Sequence, residues 1–178
     1  MALNLHLAEH VMIQTRQVYL SDEVEYNESL AFDLEMLHGL NHDSITLYIN
    51  SNGGSVTDGI SIIRVIEKIQ GEGGKVIGVV RGQALSMAFL ILEACAERRM
   101  GKLDLLMAHG ITTFLMGDIK DINAQTKILS FWREGFAERL AASSVRPKSY
   151  WNDILASNTP VYYTPLEAME YGLVDVIE

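Results

Sequence analysis

The sequence predicts an α/β fold of successive strand–helix units, on three observations. Short β-like runs alternate with helical stretches along the chain. Val76-Ile77-Gly78-Val79-Val80 is apolar on both faces, as a buried parallel strand should be. Two strand-to-helix turns carry glycines between an apolar strand and an apolar helix. Such alternation argues for strands joined by right-handed crossovers.

The elements follow in order. In the N-terminal arm, Met1 to Ile13, Leu3, Leu5 and Leu7 alternate, which suits a small strand or hairpin. Gln17 to Leu20 reads as a strand. Asn27 to Leu37 places Leu30, Leu34 and Leu37 on one helical face, and Gly39 is expected to close that helix. Ile45 to Ile49 is a strand, followed by the turn cluster Asn50-Ser51-Asn52-Gly53-Gly54. Val56 to Ile69 is a helix striped by Ile62, Val65, Ile66 and Ile69, and Gly71-Glu72-Gly73-Gly74 breaks it. After the Val76–Val80 strand, Arg81 to Leu85 reads as a turn and a helix starts near Ser86. Leu105 to Ala108 is a strand ending at His109. Asp121 to Ala142 is a long helix, with Asp118 and Asp121 suited to starting it. Lys148 to Leu155 and Pro165 to Tyr171 are short helices, and Val174 to Ile177 closes the chain as a strand.

Composition narrows the function. The 178 residues fit one domain, 1–178, able to bury a sizeable core. A net charge of −9 argues against nucleic acid, whose phosphates need a basic face. No apolar run is long enough to span a membrane, and no secretory signal is expected at the N-terminus. Cys95 is the one cysteine, so no intramolecular disulfide or cysteine-built zinc site can form, and a cytoplasmic or organelle-matrix setting is expected. Its apolar surroundings read as core. His6 and His10 have i, i+4 spacing, but no third ligand lies near, so no metal site is expected.

The chemistry concentrates at the two glycine-bearing turns, Ile49 to Ser55 and Gly82 to Met87. A helix start presents free N–H groups and a positive dipole end, which suits an oxyanion. Ser86 stands where a strand's C-terminal edge meets a helix start, the place where open α/β sheets bind ligands. Taken singly, Ser86 also reads as a helix N-cap and His109 as a structural histidine.

Read together, four segments carry a resemblance. They are Leu47 to Val56, the Gly-Gln-Ala-Leu-Ser-Met run Gly82 to Met87, Met107-Ala108-His109, and Glu167 to Asp175. In order and spacing they resemble the proteolytic subunit of Clp protease (ClpP), from about Gln17 to Glu178. The resemblance implies the ClpP/crotonase-like fold, with stacked β-α units and a protruding handle of about residues 110–142. It implies a serine endopeptidase with Ser86 as nucleophile, His109 as general base, and the Gly54 and Met87 N–H groups as oxyanion donors. No cofactor is needed for that chemistry. Unfolded polypeptides or peptides are the implied substrates, in a homo-oligomer of stacked heptameric rings, a tetradecamer, with a Clp-type ATPase as the expected class of partner.

Three departures stand out. The family's third triad member is Asp, and no Asp lies between Ala156 and Leu173. Counting forward from His109 places that role on Asn158, whose amide oxygen can accept the histidine Nδ1–H. Asp153 and no third member are the alternatives, and the lost Asp also fits a catalytically weak or inactive ring subunit. The family's Gln-Pro and Gly-rich strand after the histidine are replaced by Gly110 to Gly117 without proline. The short arm, 1–14, implies a wider or less regulated axial entrance. A crotonase-type acyl-CoA enzyme shares the fold but not the Ser86–His109 pair.

Overall fold

The computed structural model describes residues 2–27, 29–157 and 159–178. Among them, seven strands form one sheet: β1 (Gln17–Glu23), β2 (Ile45–Gly53), β3 (Val76–Leu85), β4 (Glu97–Met100), β5 (Leu105–Ala108), β6 (Val161–Tyr163) and β7 (Val176–Ile177). The main path runs β1-β2-β3-β4-β7, all parallel, while β5 pairs parallel with β3 and carries β6 antiparallel. Seven helices connect and cover them: α1 (Ala2–Thr15), α2 (Leu30–Leu40), α3 (Val56–Gly71), α4 (Met87–Leu92), α5 (Ile119–Ser143), α6 (Lys148–Ala156) and α7 (Pro165–Glu170). This is the α/β fold of the ClpP/crotonase kind that the sequence predicts.

The local chemistry explains most boundaries. The α3 stripe buries Ile62, Ile63, Ile66 and Ile69. Its end is a Schellman motif: Gly74 N–H donates to Ile69 O at 2.9 Å, Gly73 N–H to Gln70 O at 3.1 Å, and Gly73 has φ +86°. At the start of α5, the Asp118 carboxylate accepts from the Lys120 and Asp121 N–H groups and Asp121 answers the Asp118 N–H, a capping box two residues earlier than the expected Asp121 start.

Three expectations are corrected. The arm forms α1 rather than a strand or hairpin. Ala, Leu, Met and Gln favour helix, and three alternating positions are too few to outweigh them. Gly39 does not close α2, which runs on to Leu40. The Arg16 guanidinium instead donates to the carbonyls of Leu37, Asn41, Asp43 and Ser44, so the helix end needs no left-handed glycine. Arg81 to Leu85 is not a turn but the second half of β3. Between two rungs, β2 advances from Ile49 to Ser51 while β3 advances from Val80 to Ala84, so β3 bulges. Gly82, at φ +107°, supplies the bend, and a side chain there would meet the Asn50 amide. Beyond the bulge β3 leaves β4, which pairs Ile77–Val79, and takes up β5 along Gln83–Leu85.

The core is one cluster between the sheet and its helices. Its C-terminal side is aromatic: Trp151 and Tyr163 pack on Phe89 of α4 at 6.2 and 6.3 Å between ring centroids. The Trp151 indole donates to Ser144 Oγ at 2.9 Å. Nearby, buried Glu93 pairs with Arg98 at 2.8 Å, and Arg98 also holds Asp175. Burial pushes the Glu93 carboxyl up to about 7 despite that cation, and pushes the buried Cys95 thiol up to about 12. The thiol is therefore inert at neutral pH.

α5 leaves the body of the molecule. Only Phe136, Ala137 and Leu140 of it are buried, while Ile119 and Phe131 are 78% and 73% exposed. It is the protruding handle helix, and its outer apolar residues Ile119, Ile128 and Phe131 are exposed among the described residues. No described helix is long and apolar enough to cross a membrane.

Candidate active site

Ser86 sits between β3 and α4 with φ 56° and ψ −119°. A positive φ on a residue with a Cβ costs about 1–2 kcal/mol. Tertiary contacts hold it there. Its N–H donates to Met107 O at 2.8 Å, at the end of the β3–β5 pairing, and its own carbonyl accepts from the Phe89 and Leu90 N–H groups. The hydroxyl makes no capping hydrogen bond, although Ser86 occupies the N-cap position. The helix-cap reading of this serine is thereby corrected: Ser86 stands at the N-cap position, but its hydroxyl satisfies none of the free N–H groups of α4.

The first glycine turn packs directly against this one. A Cβ on Gly53 would lie 2.7 Å from Leu85 O and from Ser86 Cβ, and 2.9 Å from the Met87 N. Only glycine permits that approach, and Gly53 has φ +96°. Gly54, at φ +131°, leaves room for the Glu25 carboxylate, which accepts the Ser55 N–H at 2.8 Å. That hydrogen bond holds the Glu25 carboxyl below the usual carboxylate range. The Gly54 and Met87 N–H groups have no acceptor among the described residues.

His109 follows the last residue of β5. It lines a cavity of about 250 Å³ together with Gly54, Ser86 and Met87. Four of the five residues singled out from the sequence thus converge on one concave site. Its floor is apolar, built from Phe89, Leu90, Phe136, Leu140 and Leu155. The chain from His109 to Thr112 also forms a wall of a second cavity, of about 480 Å³, against α5 and the end of α6. That stretch is irregular, not a strand. Gly110 presses on α6 so closely that a Cβ would lie 2.7 Å from Leu155 O and 3.1 Å from Ser157 O.

Asn158, the expected third triad member, lies outside the described residues. Asp153, the alternative, is exposed on α6 and lines neither cavity. Sequence reasoning missed Asn52, which lines the Ser86 cavity and accepts from Gln83 Nε2 at 2.6 Å. Its place in the turn before Gly53-Gly54 was the available signal. Among the described residues, no three His, Cys, Asp or Glu side chains group to hold a metal.

An unspent serine hydroxyl on a strained strand-to-helix turn, a histidine just past the end of the adjoining strand and unpaired backbone donors define the class of hydrolytic α/β enzymes with the ClpP/crotonase-like fold. Comparison with known proteins gives the particular family. The Clp protease family model matches residues 5–178. The chain is 28% identical over 171 residues to "ATP-dependent Clp protease proteolytic subunit 1" of Prochlorococcus marinus (strain MIT 9312), covering 93% of this chain and 85% of that protein. It is 29% identical over 173 residues to "ATP-dependent Clp protease proteolytic subunit 2" of Thermobifida fusca (strain YX), covering 93% and 82%. To the subunit 2 of the same description from Corynebacterium jeikeium (strain K411) it is 30% identical over 173 residues, covering 93% and 80%. This chain belongs to the Clp protease family, and is a peptidase subunit of it. The family implies peptide substrates and an oligomeric assembly.

Proposed function

We propose that this protein is a serine-type endopeptidase that cleaves unfolded polypeptides through an acyl-enzyme at Ser86. One observation carries this reading: the Ser86 hydroxyl is left free by a strained backbone, in a cavity it shares with His109. His109 takes the hydroxyl proton as Ser86 Oγ attacks the scissile carbonyl. The Gly54 and Met87 N–H groups receive the oxyanion, at about 3 kcal/mol each by comparison with known donors. His109 then protonates the leaving amine, and water repeats the sequence to free the acid and restore the serine. Asn158 accepts the His109 Nδ1–H through its amide oxygen. It carries no charge, so it stabilises the imidazolium less than an Asp would, and basal turnover is low. Residues 1–178 act as one peptidase domain, with 1–14 as its arm and about 110–142 as its handle.

The assembly reading is a tetradecamer of two stacked heptameric rings in the cytoplasm or an organelle matrix. The exposed apolar residues of α5 support it, since large uncovered apolar surface marks an interface. A Clp-type ATPase is the partner class. A fluorophosphonate probe with mass spectrometry tests the chemistry: the adduct is expected on Ser86, and an unlabelled Ser86 in assembled protein would reject it. Mass photometry tests the assembly, and a monodisperse monomer of about 19.8 kDa would reject the rings.

A further inference from the structure

One face of α5 runs past both cavities. Thr126, Leu129, Ser130 and Arg133 line the larger one, and Phe136 and Leu140 line the one that holds Ser86. These positions are spaced by three and four residues, so they form one continuous stripe. Along it the chemistry changes from hydroxyls and a cation to aromatic and aliphatic groups.

Arg133 is unusual among the arginines of this chain. Arg64 and Arg139 pair with Glu67, Arg98 with Glu93 and Asp175, and Arg99 with Glu97 and Glu178. Arg16 holds backbone carbonyls, and Arg81 and Arg146 lie over tyrosine rings. Arg133 alone has no partner among the described residues. Its neighbours Glu134 and Glu138 are engaged by Lys148. No Asp, Glu or Lys lines either cavity, so Arg133 is the one permanently charged side chain among their lining residues, in a chain of net charge −9. An unpaired guanidinium at the wall of a concave site attracts a carboxylate.

The spacing gives a position. At about 1.5 Å per helical residue, Arg133 stands about 4.5 Å from Phe136 and about 10.5 Å from Leu140 along the axis. An extended peptide rises about 3.3 Å per residue and returns to the same face every second residue. The geometry points to Arg133 as a specificity-determining residue: it binds the side-chain carboxylate of an Asp or Glu two residues from the apolar residue seated beside Ser86. This rests on the peptidase reading above and adds a charge preference to it.

The test uses acetylated, amidated peptides of one sequence, with Glu, Gln or Lys placed at each position in turn. Binding to Ser86→Ala is read by fluorescence anisotropy and cleavage by the parent protein as separate kcat and KM. Glu is expected to beat Gln about three- to fivefold, in affinity and in KM, at one position two residues from the apolar one. Arg133→Gln brings that ratio to about one, Arg133→Lys restores part of it, and Arg133→Glu reverses it in favour of Lys. Equal use of Glu and Gln at every position, or a Glu preference that survives Arg133→Gln, overturns the inference. A Glu preference in binding without cleavage or Ser86 labelling supports the carboxylate subsite and rejects the peptidase chemistry instead.

Discussion

Two serines in this chain stand at the same point of the same kind of turn and do opposite things. Ser55 ends the β2 turn and opens α3; its side chain accepts from the Asp58 N–H, in the ordinary manner of an N-cap. Ser86 ends the β3 turn and opens α4, yet its side chain caps nothing. The difference lies in the backbone. Ser55 has φ −54°, and Ser86 is held at φ 56° by its N–H bond to Met107 and by the close fit of Gly53. Stability is served at one turn and given up at the other, where the hydroxyl is left uncapped.

The comparison can be broken by exchange of roles. Ser86→Ala should lower peptide turnover by a factor on the order of 10⁶ while the assembly persists, as read by a fluorogenic peptide assay. Activity within tenfold of the parent would end the assignment. Gly53→Ala forces the two turns apart, and should cost about 10²-fold in kcat/KM even where the chain still folds. Asn158→Asp adds the charge that the imidazolium lacks, and should raise kcat about tenfold or more, within the 10⁴ span known for the reverse change. Ser55→Ala should leave turnover within a few-fold but destabilise by about 1 kcal/mol, a Tm drop of about 2–4 °C in a chain of this size. Ser86→Gly should do the reverse: relief of about 1–2 kcal/mol of backbone strain outweighs about 0.4–1 kcal/mol of added unfolded-state entropy, so the protein is slightly stabilised and has no activity. Equal stability effects at the two serines would erase the distinction.

The sequence makes the two turns legible because their signals are local: an apolar strand, glycines, then an apolar helix. It does not reveal which serine is free, because the φ of Ser86 depends on Met107, on a strand read only as ending at His109. β4 was invisible for a related reason. Glu97-Arg98-Arg99-Met100 has no apolar alternation, and its strand form comes from pairing with Ile77–Val79 and from the Arg98–Asp175 bond. The arm was misread because a period of two over three leucines competes poorly with helix propensity. The handle is legible in the sequence as one long helix begun by Asp118 and Asp121. Its second role, lining the cleft with Arg133, needs the tertiary placement of the chain after His109.

The partner exchange of β3 at Gly82 has a dynamic consequence. The part of β3 before Ser86 is fastened to β5 by three rungs, Gln83–Leu85 against Leu105–Met107, and His109 lies just beyond the far side of the same pairing. Unzipping those rungs would carry Ser86 and His109 apart in one event while β1, β2 and β4 stay zipped. Such partial opening needs less free energy than global unfolding. The Ser86–His109 pair then has a latch of its own. On warming, activity should vanish before helical circular dichroism falls, and the Ser86 amide should exchange its proton at the rate of that latch rather than of the whole domain.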